Sequence, residues 1–249
     1  MDHTSLAIHH GDYGYDAPYA LLGFTVAAAL ALVVAVVSAG AQPPRATRLA
    51  LVYFAIFTFN ASSFFYTTRW GKFIVWARVI GAMAWRGDER VLDLGCGRGA
   101  ILTMVARRLT TGTVTGLDLW STLDQSGLSE RACRENAVRE GVSDRVVLQT
   151  GDMRALPFAD AAFDVVVSSL AIHNIPTASG RARAIEQAVR VLAPGGRLVI
   201  ADIRRTNVYA QELRRLGMLD VATRWLGWRF WYGNPIAATS LVTARKPAV

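Results

Sequence analysis

The chain has 249 residues, a hydrophobic content of 52% and a formal net charge of +8 at pH 7, with a mean hydropathy of +0.27. This length indicates one large domain, or one domain with an appendage. Two cysteines without a CxxC or metal spacing, and the lack of an aromatic-rich basic run, argue against a disulfide framework, a zinc site and a nucleic-acid partner.

The first predicted element is an apolar segment at residues 19–39, which follows an N-terminal tail of residues 1–18. No charged residue occurs between residues 17 and 44. Twenty residues of helix, at about 1.5 Å each, cross the roughly 30 Å hydrocarbon core of a bilayer. A cleaved signal peptide and a buried core helix are the alternatives. Because the tail carries aspartates and no basic residue, we favour a transmembrane helix.

A second uncharged segment, residues 49–68, predicts a second span or an interfacial helix, because polar residues such as Asn60 interrupt it. Two arginines precede this segment and four basic residues follow it, namely Arg69, Lys72, Arg78 and Arg86. The positive-inside rule therefore places the C-terminal part of the chain in the cytoplasm. One span would put the N-terminus outside and two spans would put it inside, and the sequence leaves both open.

Residues 69–86 predict an amphipathic connecting helix. Apolar side chains recur at three-to-four spacing through Phe73, Trp76, Ala77 and Ile80. This face would pack on the following domain, rest at the membrane surface, or do both.

Residues 87–249 alternate between predicted strands and helices, which indicates an α/β fold with a doubly wound, mostly parallel sheet. Ligands of such sheets bind at the carboxyl ends of the strands. The predicted strands are 90–94, 113–118, 145–150, 163–170, 196–203, 218–225 and 238–246, and the predicted helices are 100–109, 129–140, 178–192 and 207–216.

The stretch "RVLDLGCGRGA", residues 90–100, places three glycines directly after the first strand. Glycine lets a ligand approach the main chain, and a turn between a strand and a helix directs free N–H groups at that ligand. Gly95, Gly97 and Ala100 fit a dinucleotide-binding pattern loosely, and Asp118 stands where an acid holds ribose hydroxyls. The turn therefore indicates a nucleotide-like ligand.

Two further acids distinguish this site from a dinucleotide site. Asp93 lies two residues before the first glycine, where it would repel a pyrophosphate but suit a positively charged amino group. Asp152 follows the third strand in "TGDMRALPF". Together these acids favour a different adenosine ligand.

Five motifs in this order resemble the class I S-adenosylmethionine-dependent methyltransferases, over about residues 86–246. They are "VLDLGCGRG", "VTGLDL", "GDMRALPF", "FDVVVSSLAIHNI" and "LAPGGRLVIADI". The nearest group includes ubiquinone and menaquinone biosynthesis methyltransferases. The resemblance implies a seven-stranded, Rossmann-like sheet with an antiparallel last strand. It also implies S-adenosylmethionine as the cofactor, with S-adenosylhomocysteine as its product.

The resemblance further implies which residues hold the cofactor. Asp93 and the glycine turn would hold its methionine part, Ser168 would line that side, and Asp118 would bind both ribose hydroxyls. For Asp118 and Asp152 the alternative role is capping of a helix, and for Gly95 and Gly97 it is a tight turn without a ligand. The expected cofactor-binding residues are Asp93, Gly95, Cys96, Gly97, Gly99, Asp118, Leu119, Trp120, Gly151, Asp152, Met153 and Ser168.

Leu119, with Trp120, would flank the adenine, Met153 would stack nearby, and the adenine amino group would donate to Asp152. The chain departs from the family here, because the connection "LWSTLDQSGLSE" is longer than usual. This connection would cover the adenine or the acceptor mouth, which makes the transfer of roles from Leu119 onward less direct.

His173, in "SSLAIHNIP", is the candidate catalytic residue. Methyl transfer from a sulfonium needs alignment and water exclusion, and it needs a base only where the acceptor loses a proton. His173 would be that base, would contact the acceptor without proton transfer, or would only shape the pocket. The other histidines lie in the tail without partners at ligand spacing, so no metal site is expected.

The acceptor is expected to be a small, hydrophobic or lipid-like molecule that undergoes O-, C- or S-methylation. The chain lacks the Asn-Pro-Pro-Tyr type motif of amino-methylating relatives, and its apolar segments would place it at the bilayer. The aromatic stretch "RWLGWRFWYGNP", residues 224–235, would form an apolar acceptor wall, rest on headgroups, or pack as a core edge.

Three functions remain open at this point: an integral-membrane methyltransferase for a hydrophobic acceptor, a tethered one for a soluble metabolite or thiol, and a non-catalytic cofactor-binding scaffold. The first is favoured, with the catalytic domain facing the cytoplasm. Nothing in the sequence indicates an oligomeric state.

Overall fold

A seven-stranded sheet forms the centre of the molecule, which is described here by a computed structural model of residues 3–40, 44–120 and 127–248. The strand order is β3-β2-β1-β4-β5-β7-β6. Strand β7 runs antiparallel to β5 and β6, and the other pairs of neighbouring strands are parallel, which confirms the predicted mostly parallel sheet. The strands are β1 (Arg90–Leu94), β2 (Thr113–Asp118), β3 (Val146–Thr150), β4 (Phe163–Ser169), β5 (Leu192–Ile203), β6 (Leu219–Trp225) and β7 (Thr239–Arg245).

Helices cover both faces of the sheet, and a further pair of helices extends from one end of the molecule. The helices predicted at 129–140, 178–192 and 207–216 match the structure within one residue at each end. In contrast, β5 begins at Leu192, before the predicted residue 196. The described helices are α1 (His3–Ala7), α2 (Pro18–Val37), α3 (Arg45–Tyr66), α4 (Lys72–Gly81), α5 (Ala100–Ala106), α6 (Glu130–Arg139), α7 (Ala178–Val191) and α8 (Thr206–Arg215).

The central strands form because they are short runs of apolar, largely β-branched residues that are buried on both faces. In β4, Val165 and Val167 face one buried cluster and Val166 faces the other. Side chains alternate across a strand, so this single run fills the core on both sides. The same sheet brings the carboxyl ends of β1, β2 and β4 together at one edge.

Helices α2 and α3 form a helical hairpin that leaves the domain. Pro18–Val37 has a mean hydropathy of 2.7, and the continuous helical stretch Arg45–Gly81 reaches 1.5. Both are long and apolar enough to cross a bilayer by length and composition. Only 11% and 17% of these apolar windows are buried within the protein, so most of their apolar surface faces outward.

The second apolar segment and the connecting helix are one continuous stretch, whereas the sequence predicted two separate segments. A π-helical turn, Thr67–Gly71, joins α3 to α4. Helix α4 is buried on more than one face, and Trp76 is fully inaccessible. The Trp76 indole N–H donates to the Ser169 hydroxyl over 2.9 Å, which fastens α4 to the end of β4.

The N-terminal tail folds back onto the domain that contains the sheet. Arg107 donates to the carbonyl oxygens of Ser5 and Ile8, each over 2.7 Å. The Glu140 carboxylate accepts from the backbone N–H groups of His10 and Gly11 over 2.7 and 2.8 Å. The tail and the domain therefore lie at the same end of the α2–α3 hairpin.

Gly71 lies where the π-helical turn meets the loop after β6, and we expect Gly71→Ala to destabilise the protein. A Cβ atom at this position would lie 2.0 Å from the backbone oxygen of Arg229. Overpacking of this kind typically costs about 1–3 kcal/mol, more than the roughly 1 kcal/mol that alanine gains over glycine in a helix. Thermal unfolding in detergent should show the loss. Gly23→Ala in α2 is the matched control, because a Cβ atom there has no neighbour within 4 Å. Equal melting temperatures for both variants would contradict the expectation.

Candidate active site

A cavity of about 880 Å³ opens at the carboxyl ends of β1, β2 and β4. It brings together most of the residues that the sequence singled out, although they lie far apart in the chain. The predicted residues that line it are Asp93, Gly95, Cys96, Gly97, Asp118, Leu119, Gly151, Asp152, Met153 and His173.

The glycine turn is bare because two loops approach each other closely there. Gly95 has φ +71°, a left-handed conformation that favours glycine. A Cβ atom at Gly95 would lie 2.2 Å from the Cβ atom of Ala171, in the loop after β4. The turn thus exposes its backbone to the cavity while packing against a second cavity wall.

Asp93 is the most unusual titratable group of the site. Its side chain is 1% exposed, and neither carboxylate oxygen has a hydrogen-bond partner among the described residues. Burial, with a further contribution from the charge of Asp118, raises the pKa of Asp93 to about 8. A buried acid without a partner is the environment that a cationic ligand group would satisfy.

Asp118 organises the backbone around it. Its Oδ2 atom accepts from the Gly97 N–H over 2.9 Å, and its Oδ1 atom accepts from the Trp120 N–H over 2.8 Å. The Trp120 indole N–H donates to the Thr150 hydroxyl over 2.8 Å, and the Trp120 ring packs against the core. The cavity wall at this point is therefore formed by Leu119. Residues 121–126 of the long connection, with Ser121, Asp124 and Gln125, lie outside the described residues.

Asp152 lines the cavity but is already paired. Arg154 donates from Nε to both carboxylate oxygens over 3.0 and 2.9 Å, and its Nη2 donates to Oδ2 over 2.6 Å. These hydrogen bonds from Arg154 lower the pKa of Asp152. An adenine amino group would have to share this carboxylate with the guanidinium.

Ser168 and Gly99 do not line the cavity, contrary to the roles carried over from the family. The Ser168 hydroxyl donates to the Leu94 carbonyl over 2.9 Å within the sheet, and its side chain is buried. Side chains alternate along β4, so Ser169 is the residue that reaches the cavity. Gly99 instead precedes the first residue of α5 with φ +85°.

His173 has a partner that the sequence did not reveal. Its Nδ1 atom lies 2.5 Å from Oδ1 of Asp202, and its backbone N–H donates to Oδ2 over 3.0 Å. Asp202 is completely buried at the end of β5 and also accepts from the Ile203 N–H and the Tyr209 hydroxyl. Because an ionised carboxylate only accepts hydrogen bonds, Nδ1 carries the proton and Nε2 is left as the acceptor nitrogen. The only sequence signal for Asp202 is an acid at a strand end, in "VIADI".

The far end of the cavity contains a polar network that sequence reasoning also missed. The Lys72 ammonium group donates to both carboxylate oxygens of Asp16 over 2.9 and 2.8 Å. The hydroxyl groups of Tyr232 and Thr68 donate to Oδ2 of Asp16 over 2.8 and 2.9 Å. Burial and the Asp16 charge raise the pKa of Tyr232 well above its usual range. This network joins the tail, the long helix and the loop after β6.

The residues present fit S-adenosylmethionine. The unpartnered Asp93 carboxylate suits the amino group of its methionine part, and the exposed backbone of Gly95 and Gly97 leaves room for a close approach. Asp118 retains lone pairs for ribose hydroxyls beyond its two backbone contacts. The cavity is also large enough to hold an acceptor beside the cofactor.

Comparison with known proteins agrees with this geometry. Residues 92–200 match the family described as "Methyltransferase domain". The chain is 38% identical over 128 residues to 27-O-demethylrifamycin SV methyltransferase of Amycolatopsis mediterranei, covering 50% of this chain and 42% of that protein. It is 35% identical over 120 residues to the ubiquinone/menaquinone biosynthesis C-methyltransferase UbiE of Roseobacter denitrificans, covering 48% and 44%.

A solved structure supports the fold. The crystal structure of the [4+2]-cyclase SpnF matches with a TM-score of 0.59 and 21% identity over 72% of this chain and 84% of that chain. The chain spans less than half the length of the two curated relatives, 42% and 44%. The sheet topology, the glycine turn with its acids and the match over residues 92–200 agree. Residues 92–200 of this chain therefore resemble a methyltransferase domain, and the seven-stranded sheet has the α/β fold of the matched structure.

Proposed function

We propose that this protein is a membrane-anchored methyltransferase that transfers the methyl group of S-adenosylmethionine to a small hydrophobic acceptor. The observation that carries the proposal is the composition of the cavity. One end consists of the glycine turn and its acids, and the other end reaches the apolar residues Phe24 of α2 and Phe64 of α3. The hairpin that would anchor the protein is thus part of the cavity wall.

The outward-facing surface of the hairpin supports the membrane anchor. A helix that is apolar on all sides is normally buried in a core or in a bilayer. Helix α2 is not in a core, because Leu30 and Val33 are 61% and 57% exposed. The docked tail is joined to the domain by Arg107 and Glu140, which favours two spans over one. By the positive-inside rule the domain then faces the cytoplasm.

His173 and Asp202 provide the base. When bound, S-adenosylmethionine supplies a methyl group that is activated by a positively charged sulfur. The acceptor's hydroxyl, thiol or acidic carbon loses a proton, and Nε2 of His173 accepts it. Asp202 holds the imidazole in the tautomer that can accept this proton and stabilises the imidazolium that results. The surrounding apolar wall excludes water from the reacting groups.

The acceptor class follows from the cavity and from the relatives. Beside the Asp16–Lys72–Tyr232 network, the cavity has apolar lining from Ala20, Phe24, Phe64, Ile236 and Ala237. One of the matched relatives acts in ubiquinone/menaquinone biosynthesis, and such acceptors combine a polar ring with an apolar chain. A hydrophobic acceptor dissolved in the bilayer would reach this protein by diffusion in two dimensions.

The test is methylation of a membrane extract by detergent-purified protein with methyl-tritiated S-adenosylmethionine. Products are partitioned between organic solvent and water, and we expect label in the organic phase. Asp118→Ala should remove that label, because it breaks the contacts to Gly97 and Trp120 and removes the expected ribose contact. Asp144→Ala is the matched control, because the Asp144 side chain is 71% exposed and distant from the cavity.

Two other outcomes would overturn the proposal. Label that appears only in water, and only with a soluble metabolite pool, would assign a soluble acceptor instead. The membrane anchor has its own test, which is extraction of cell membranes with alkaline carbonate. Release of the intact protein by carbonate would contradict the two spans.

A further inference from the structure

We propose that the acceptor enters the cavity sideways from the lipid phase, through a portal between the first turns of α2 and the loop after Tyr232. The portal is defined here by Ala17, Ala20, Phe24, Ile236 and Ala237. This inference rests on the proposed function and deepens it, because it assigns the hairpin a role in binding the acceptor as well as in anchoring. The acceptor that fits is a polar head or ring on one long apolar chain.

The portal residues belong to both the cavity and the outer surface. Ala20 and Phe24 of α2 and Ile236 of the loop all line the cavity. Ala20 is nevertheless exposed, and Ile236 is 84% exposed. Residues that line a cavity and also face outward mark its opening. An isoleucine this exposed at such an opening is stable where lipid, rather than water, covers it.

The loop after β6 extends along the hairpin, away from the sheet, and contacts both hairpin helices. The Asn234 side-chain amide donates to Oδ1 of Asn60 over 2.7 Å, and a Cβ atom at Gly233 would lie 3.2 Å from the ring of Phe24. Asn60 precedes the π-helical turn by two helical turns, about 10 Å. The lower edge of the portal therefore lies inside the apolar part of the hairpin, at the depth of the bilayer rather than above it.

Exposed tryptophans lie near the level of the π-helical turn, above this edge. Trp225, Trp228 and Trp70 are 58%, 52% and 50% exposed, and Trp228 stacks on Tyr66 of α3 with ring centroids 5.5 Å apart. Tryptophan favours the interface between headgroups and hydrocarbon. This belt fixes the height of the hairpin in the bilayer and so keeps the portal at the lipid boundary.

Asn234 pairs with Asn60 at the lower edge of the portal, and an ion-pair network lies on the inner side of this half of the cavity. Lys72, Asp16 and Tyr232 form the ion-pair network described above, at the level of the π-helical turn. The wall from Ala20 to Phe24 is apolar. A head group is therefore held inward, near His173 and this network, while an attached chain extends outward between α2 and the loop.

The experiment narrows the portal with Ala20→Trp. Because Ala20 is exposed, the indole can be accommodated without disturbing the core. The protein is reconstituted in phosphatidylcholine vesicles that contain a lipid extract of host membranes. We expect organic-phase label to fall by roughly tenfold or more, with an unchanged dissociation constant for S-adenosylmethionine. Ala29→Trp is the matched control, because Ala29 is exposed on the opposite face of α2 and does not line the cavity. Full labelling by Ala20→Trp would overturn the portal.

A second measurement does not depend on activity. A diazirine-bearing decyl hydroquinone is added to the same vesicles, and its crosslinks are mapped by mass spectrometry. We expect crosslinks at Ala20, Phe24 or Ile236, and their loss in Ala20→Trp. Crosslinks confined to outer hairpin positions such as Leu30 would overturn the portal. If wild-type protein gives no organic label but does crosslink at the portal, the proposed function fails and the portal stands.

Discussion

Asp93→Asn is expected to weaken S-adenosylmethionine binding by roughly 100-fold, the usual consequence of removing one charge from a buried ionic contact. The same change should stabilise the protein in the absence of cofactor. The Asp93 carboxylate is buried without a hydrogen-bond partner among the described residues, and its pKa is raised to about 8. Isothermal titration calorimetry measures the first effect and thermal unfolding the second.

The stability of the wild-type protein should depend on pH through Asp93. The unfolded chain loses the Asp93 proton near pH 4, whereas the folded protein keeps it up to about pH 8. Between these values the folded state binds more protons than the unfolded state, so the stability of the wild type falls as pH rises and levels off above pH 8. Asparagine does not ionise, so the advantage of the variant should grow across this window. Melting temperatures at pH 5, 7 and 9 would show the trend.

Proton release on cofactor binding provides an independent measurement. At pH 7 most cofactor-free molecules carry the proton on Asp93, so binding of a cationic amino group should release up to about one proton. Calorimetry in buffers of different ionisation enthalpy measures this release, which should vanish in Asp93→Asn. Asp88→Asn is the control, because that carboxylate is 61% exposed. Wild-type affinity in Asp93→Asn, or a stability difference that does not change with pH, would refute this role of the buried acid.

Asp202→Asn is expected to lower kcat by about 100-fold, within the usual contribution of a general base, while the cofactor dissociation constant stays unchanged. Asp202 is a positioning residue that acts through His173. An asparagine amide can donate to Nδ1, and the imidazole would then carry its proton on Nε2 and could not accept one from the acceptor. The loss should fall on kcat alone while the cofactor dissociation constant stays unchanged, a split that loss of the fold would not produce.

Two further variants distinguish a role of Asp202 in positioning His173 from a role in folding. His173→Ala should be as slow as Asp202→Asn, and the double variant should be no slower than either, because residues that act as a unit are not additive. Tyr209→Phe removes only a 3.3 Å contact to Asp202 and should keep kcat within about threefold of wild type. Additive losses, or a Tyr209→Phe variant as slow as Asp202→Asn, would contradict the proposed pairing.

The sheet and the cofactor turn could be predicted from the sequence because local signals specify them. β1 and β2 have the predicted bounds, since apolar runs end there at Asp93–Leu94 and Asp118. A glycine turn and strand-end acids likewise depend on short spacings. The sequence therefore predicted a ligand site at this edge, and most of its residues do line the cavity.

The remaining features depend on contacts between distant residues. Tyr232 and Asp16 form a hydrogen bond although they lie 216 positions apart in the sequence. No periodic pattern of residues predicts a contact at that separation. In the sequence, nothing distinguishes Asp202 from other acids at strand ends. Its role depends on the fold, which places His173 beside it. The pairing of Arg154 with Asp152 and the inward turn of Ser168 arise from side-chain directions that neighbouring strands determine.

The docking of the tail on the glycine turn has a consequence for how the protein is made. Arg98, inside that turn, donates to the carbonyl oxygen and to the carboxylate of Asp12, each over 2.9 Å, and Asn136 donates to the same carbonyl oxygen. The tail is translated before both hairpin helices, whereas the surface that binds it is translated only after them. The contacts between tail and glycine turn therefore form only after the whole hairpin has been synthesised.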